Sequence, residues 1–96
     1  MTIDEFKRAT VGIAGSTLFL FPSGYHYTPI TKIAISNNQI ILSQSEQTHT
    51  PPITLSDFWI TCESLPANTQ IYFQLTNANP QPMYGFRRIP NAIIPN

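Results

Sequence analysis

Ninety-six residues form one domain, 1–96, because halves of about 45 residues bury too little apolar surface to stand alone without a disulfide or a metal. Five acidic and five basic side chains cancel to a formal net charge of zero, which argues against a surface built mainly to grip nucleic acid or anionic lipid. The single cysteine, Cys62, rules out an intrachain disulfide and makes a reducing, cytoplasmic setting the expectation.

The chain opens on a capping box, "TIDE" at residues 2–5. The Thr2 hydroxyl can accept from the Glu5 amide while the Glu5 carboxylate reaches back to the Thr2 amide. Ile3, Phe6, Thr10 and Ile13 follow at helical spacing, with Lys7 and Arg8 turned away, and Gly12 and Gly15 end the helix. "STLFLF" alternates as a strand, and "PSGYHYTP" is expected to be a loop. "ITKIAISNNQIILS" reads as a hairpin around Asn37-Asn38, since asparagine tolerates the positive φ of a tight turn. "QSEQTHTPP", residues 44–52, is polar, proline-terminated and without period, and 46–53 is expected to be a linker between the halves.

A second helix begins at Thr54, with Asp57 in the place Glu5 holds in the first, and Leu55, Phe58, Trp59, Cys62 and Leu65 lie along its apolar stripe. Pro66 closes it. "QIYFQL" and "MYGFRRI" are predicted strands, and the tail "PNAIIPN" supplies a short last one. No stretch approaches the roughly 20 apolar residues of a membrane helix, and Asp4 and Glu5 stand where a secretory signal would be basic.

Residues 2–21 and 54–73 share Thr2/Thr54, Phe6/Phe58, Thr17/Thr69 and Phe21/Phe73. Residues 29–43 and 82–96 share Pro29/Pro82, Asn38/Asn91, Ile40/Ile93 and Ile41/Ile94. With the same order of elements in each half, this predicts a tandem helix-strand-strand-strand duplication over 1–45 and 54–96. The alternative is two unrelated amphipathic helices that each precede a strand. The fold class expected is α+β, with two helices packed on an antiparallel sheet of five or six strands. "LSDFWITCESLPANTQIYF", a short helix, an LP turn and an alternating strand, resembles the opening of small uncharacterised bacterial and prophage proteins. That resemblance implies a phage or mobile-element origin and brings no activity to any residue.

Catalytic constellations are nearly absent. His26 and His49 stand at no metal-like spacing from Cys62 or a carboxylate, and no glycine-rich phosphate loop is present. Cys62 belongs to an apolar stripe, where a small hydrophobe is wanted. The chain is therefore expected to be non-enzymatic and to need neither cofactor nor metal, with the Tyr25-His26-Tyr27 run as the remaining place for a pocket. Charged residues make up 10% of the chain, against roughly 25% in an ordinary domain, so copies repel one another weakly and self-association is expected.

Binding to another protein or to itself is the leading function. Trp59, in the place of Lys7, and Arg88, in the place of Ile35, have the composition of a binding hot spot; the plainer reading makes Trp59 part of a wider buried arc. "MYGFRR" carries the second reading, a single-stranded nucleic-acid binder that uses Tyr84, Phe86, Arg87 and Arg88. The plainer account of those arginines is protection of an edge strand. Partner binding is thus assigned to Trp59, Tyr84, Phe86, Arg87 and Arg88.

Overall fold

A computed structural model describes residues 1–47 and 49–96. The fold is α+β. Helix α1 spans Ile3–Ala9 and helix α2 spans Leu55–Thr61. Both start on a complete capping box: Thr2 accepts from the Glu5 amide at 3.1 Å, and Thr54 accepts from the Asp57 amide at 3.1 Å. The hydrogen bonds from Thr2 hold the Glu5 carboxyl below its ordinary range. Its contribution to stability is present above the unfolded value and is lost as pH falls through the lowered one. Both helices end earlier than the spacing predicts. Thr10 caps α1, its hydroxyl donating to the Phe6 carbonyl at 2.9 Å, and Cys62 caps α2. Two-turn helices do not stand alone in water, so burial of Ile3, Phe6, Leu55 and Phe58 holds them in place.

Among the described residues eight strands make two four-stranded sheets, not one antiparallel sheet of five or six. They are β1 (Leu18–Ser23), β2 (His26–Pro29), β3 (Lys32–Ser36), β4 (Gln39–Ser43), β5 (Gln70–Phe73), β6 (Gln81–Pro82), β7 (Phe86–Ile89) and β8 (Ala92–Pro95). The first sheet runs β2-β1-β8-β7 and the second β3-β4-β5-β6. Each is mixed, because β1 lies parallel to β8 and β4 lies parallel to β5. A parallel pair has no turn joining its strands, so local spacing carries no sign of it. The run expected to be a loop holds β2, whose Pro29 occupies an edge where the missing N–H is not needed. The short tail becomes β8, an inner strand with all four residues buried.

Two bends join the sheets. The Ile30 amide donates to Phe19 in the first sheet at 2.9 Å, and the next amide, Thr31, donates to Ser43 in the second at 3.0 Å. Met83 and Tyr84 make the reverse passage, to Ile71 at 2.9 Å and to Asn96 at 2.9 Å. Strands that change sheets in this way form the corners of a crossed sandwich, and Ile30 and Met83 are wholly buried there.

The pairings recur between the sheets. Pro29 stands opposite Leu20, and Pro82 opposite Tyr72. Leu55 donates to Thr17 at 2.8 Å, and Ile3 donates to Thr69 at 2.9 Å. Asn38 and Asn91 close their hairpins at φ 64° and 65°. Asn37 is also at positive φ, as the turn type requires, while Pro90, with φ held negative by its ring, leaves that role to Asn91 alone.

Each sheet takes two strands from either side of the 46–53 stretch. Fragments 1–50 and 51–96 are therefore expected to lack strand signal by circular dichroism when separate and to regain it when mixed. A cooperative unfolding transition in either fragment alone would contradict the interlocked arrangement.

Candidate functional site

Phe6 is the hub of the helix layer. Its ring meets Phe58 edge-on at 5.2 Å and Phe86 edge-on at 5.4 Å, and lies 5.6 Å from Trp59 and 6.0 Å from Phe19. Trp59 also packs edge-on against Phe58 at 5.0 Å. Two of the five expected binding residues, Trp59 and Phe86, therefore converge on one buried ring. Trp59 is half-buried, the rim of a wide apolar arc, so it is part of the core and reaches solvent as well.

The other three do not join them on a single face. Tyr84 lies before β7, in a β-bulge where the Tyr84 and Gly85 amides both donate to the Asn96 carbonyl, at 2.9 and 3.2 Å. The bulge resets the alternation, so Tyr84 is 80% exposed whereas Phe86 packs on the core. On an unbroken strand Tyr84, Phe86 and Arg88 would lie on one face; the bulge parts Tyr84 from the other two. Arg88 is exposed on the side of Phe86, at the edge. Arg87 points to the opposite side, where its guanidinium donates to the Tyr27 hydroxyl at 3.3 Å. That bond spans the whole first sheet, from β7 to β2. Between its ends lies Ile94, buried on the outer face of an inner strand.

The Tyr25-His26-Tyr27 run lies open to solvent. It is the tip of the β1–β2 hairpin, with Gly24 at φ 61° in the turn, and all three side chains are exposed. An open groove of ≈ 700 Å³ lies at the ends of β4 and β5, lined by Lys32, Gln44, Glu46, Gln74 and Asn77 among others. Two of its amides are committed to the fold: Gln44 donates to Pro29 at 3.2 Å and accepts from Thr76 at 3.1 Å, and Gln74 donates to Ala78 at 2.8 Å. Among the described residues, no three of His, Cys, Asp and Glu gather as metal ligands. Among them too, no helix is long and apolar enough to cross a membrane.

One residue the sequence reading passed over is Ile60. It stands next to Trp59 on α2 and is 71% exposed. Its signal was available, since it falls on the polar side of the helical spacing and occupies the place that Arg8 holds in α1.

No family model matches the chain, and no curated protein or solved structure is similar to it.

Two outcomes follow from this packing. Phe6→Ala removes the ring on which four aromatics rest, and chemical denaturation is expected to show a loss of roughly 3–5 kcal/mol. The Cys62 thiol is pushed up from 9.0 to about 11 by burial. It is therefore expected to resist an aromatic disulfide reagent at pH 8 until the protein unfolds. Because the folded state holds the proton more tightly, stability should fall as pH rises from 9.0 towards about 11.

Proposed function

We propose that this chain is a small non-enzymatic interaction protein that works by binding another protein or a second copy of itself. The observation that carries the reading is the outward side of α2. In α1 that side is charged: Asp4, Glu5, Lys7 and Arg8 are exposed, and Asp4 pairs with Arg8 at 3.1 Å. In α2 the corresponding positions hold exposed Ser56 and Asp57 and then, in place of the two basic residues, half-buried Trp59 beside exposed Ile60. An exposed isoleucine next to a tryptophan whose ring is already fixed by packing adds nothing to the fold. It does offer a rigid, partly dehydrated anchor, the composition of a binding hot spot. The neutral surface points the same way, the resemblance to small prophage proteins speaks only to origin, and the lone buried thiol suits a reducing, cytoplasmic setting.

We also infer that the two halves are tandem copies. Matching capping boxes, matching strand registers and matching left-handed asparagines support this reading, since two unrelated halves would have no reason to share register at every pairing. Read so, the exchange of Lys7-Arg8 for Trp59-Ile60 is the change that set one copy apart for binding.

A photo-crosslinking residue placed at position 60 in cells tests the function, with the same residue at position 8 as control. Position 60 is expected to give a discrete protein adduct. Trp59→Lys is expected to lower its yield roughly thirtyfold, the effect of losing about 2 kcal/mol. Equal adducts at positions 8 and 60, or an adduct indifferent to Trp59, would remove the reading.

The second reading, single-stranded nucleic acid at β7, is favoured by the exposure of Tyr84, Arg87 and Arg88. With Phe86 packed on Phe6, Tyr84 is left as its stacking platform. Salt-dependent binding of a labelled single strand, lost in R87A/R88A, would replace the first reading with this one.

A further inference from the structure

The two sheets present four edge strands, β2, β7, β3 and β6. Proteins commonly protect such edges with charge, proline or short length, because a free row of N–H and C=O groups templates pairing. β6 is two residues long and contains Pro82. β2 contains Pro29, and β7 carries Arg87 and Arg88. β3 reads "KIAIS", five residues with no proline and with its single charge at one end. It is the unprotected edge.

Its free groups follow from the hairpin. A two-residue turn makes Ser36 and Gln39 a hydrogen-bonded pair, and the alternation continues through Ala34–Ile41. Ile33 and Ile35 therefore direct their N–H and C=O groups away from β4. Ile35 is 47% exposed, and Ile33 is half-buried.

We propose that a second copy of this chain adds to β3, antiparallel, about a twofold axis at Ala34. The two second sheets then join into one of eight strands. The proposal rests on the interaction reading above and supplies one partner for it. The occupant follows from the register. Pairing β3 with itself about Ala34 sets Ile33 opposite Ile35 of the second copy and Lys32 opposite its Ser36, while the small Ala34 faces its own copy on the axis. Ile33 and Ile35 exchange both backbone bonds on each side of the axis, the isoleucines meet on one face, and no like charges are opposed.

The same operation on β7 fails. It would set Arg87 against Arg87 on the axis and Phe86 against Arg88, so the equivalent edge of the other sheet is closed to a second copy by its charge. Among the differences between the two edges, the one that bears on the axis is the replacement of Ala34-Ile35 by Arg87-Arg88. One edge is thus open and the other shut, which gives a closed dimer and prevents an open-ended filament.

The test is light scattering at rising protein concentration with the variants A34R and A34E, alone and mixed. Ala34→Arg installs the residue that the second half carries at position 87. The wild type is expected to be dimeric. Each variant alone is expected to dissociate at least about tenfold more readily, since like charges then meet on the axis. The equimolar mixture is expected to recover the dimer, because Arg then faces Glu. Thermal unfolding of each variant checks that the fold survives. Amide hydrogen exchange gives an independent reading: Ile33 and Ile35 should slow as the wild-type dimer forms, while Phe86 and Arg88 stay fast. A wild-type monomer at every concentration would overturn the proposal. So would a dimer that A34R leaves intact, a mixture that stays monomeric, or a dimer with fast-exchanging Ile33 and Ile35 amides. None of these failures touches the position-60 adduct, so the loss of edge pairing and the loss of the interaction reading are separable.

Discussion

The edge of Phe6 against the ring of Phe58, 5.2 Å apart and wholly buried, is the contact on which both halves of the molecule depend. Each ring belongs to a helix of two turns that could not persist in water. Each helix is tied at its start to the strand approach of the other half, Ile3 to Thr69 and Leu55 to Thr17. The rings therefore close a loop of mutual support: the helices orient the rings, and the rings hold the helices over the sheets. Phe21 against Phe73 at 6.0 Å does the same between the two sheets.

This arrangement decides what the surface can offer. Because Phe6 gathers Trp59 and Phe86, two aromatics that look free in the sequence are partly spent on the core. What remains outside is uneven. One helix carries Lys7 and Arg8 where the other carries Trp59 and Ile60; one sheet edge holds two arginines, the other reads "KIAIS". The strong resemblance in backbone pairing between the halves makes these chemical differences stand out, since packing demands alone would be met equally well by either set. Both contrasts underlie the proposed association with protein surfaces. The rigidity of the Phe6 cluster suits that role, because a preorganised anchor loses little entropy on binding.

Arg87 shows how one side chain answers two needs. Its guanidinium reaches Tyr27 across the first sheet, and Ile94 lies buried between the two ends of the bond. In the proposed edge pairing its charge would also close β7 to a second copy. An exposed bond of this kind contributes little energy by itself. Its value lies in keeping the aliphatic stem over apolar surface that would otherwise face water.

Local chemistry made several features legible in the sequence. The capping boxes at Thr2 and Thr54, the buried stripes through Phe6 and Phe58, and the asparagine turn at Asn37-Asn38 are all set by interactions within a few residues, so pattern and spacing suffice to find them. The α+β class followed from the same signals. The tertiary structure alone decided the rest. The parallel pairs β1–β8 and β4–β5 bring together segments with no turn between them, which turned the expected single sheet into two and drew the short tail into the middle of one. The bends at Ile30 and Met83 and the bulge at Tyr84 then determined which side chains reach solvent, because each changes the direction of the strand that carries them. Spacing along a chain can say which residues are apolar neighbours; which edge is left unpaired depends on where every other strand has gone.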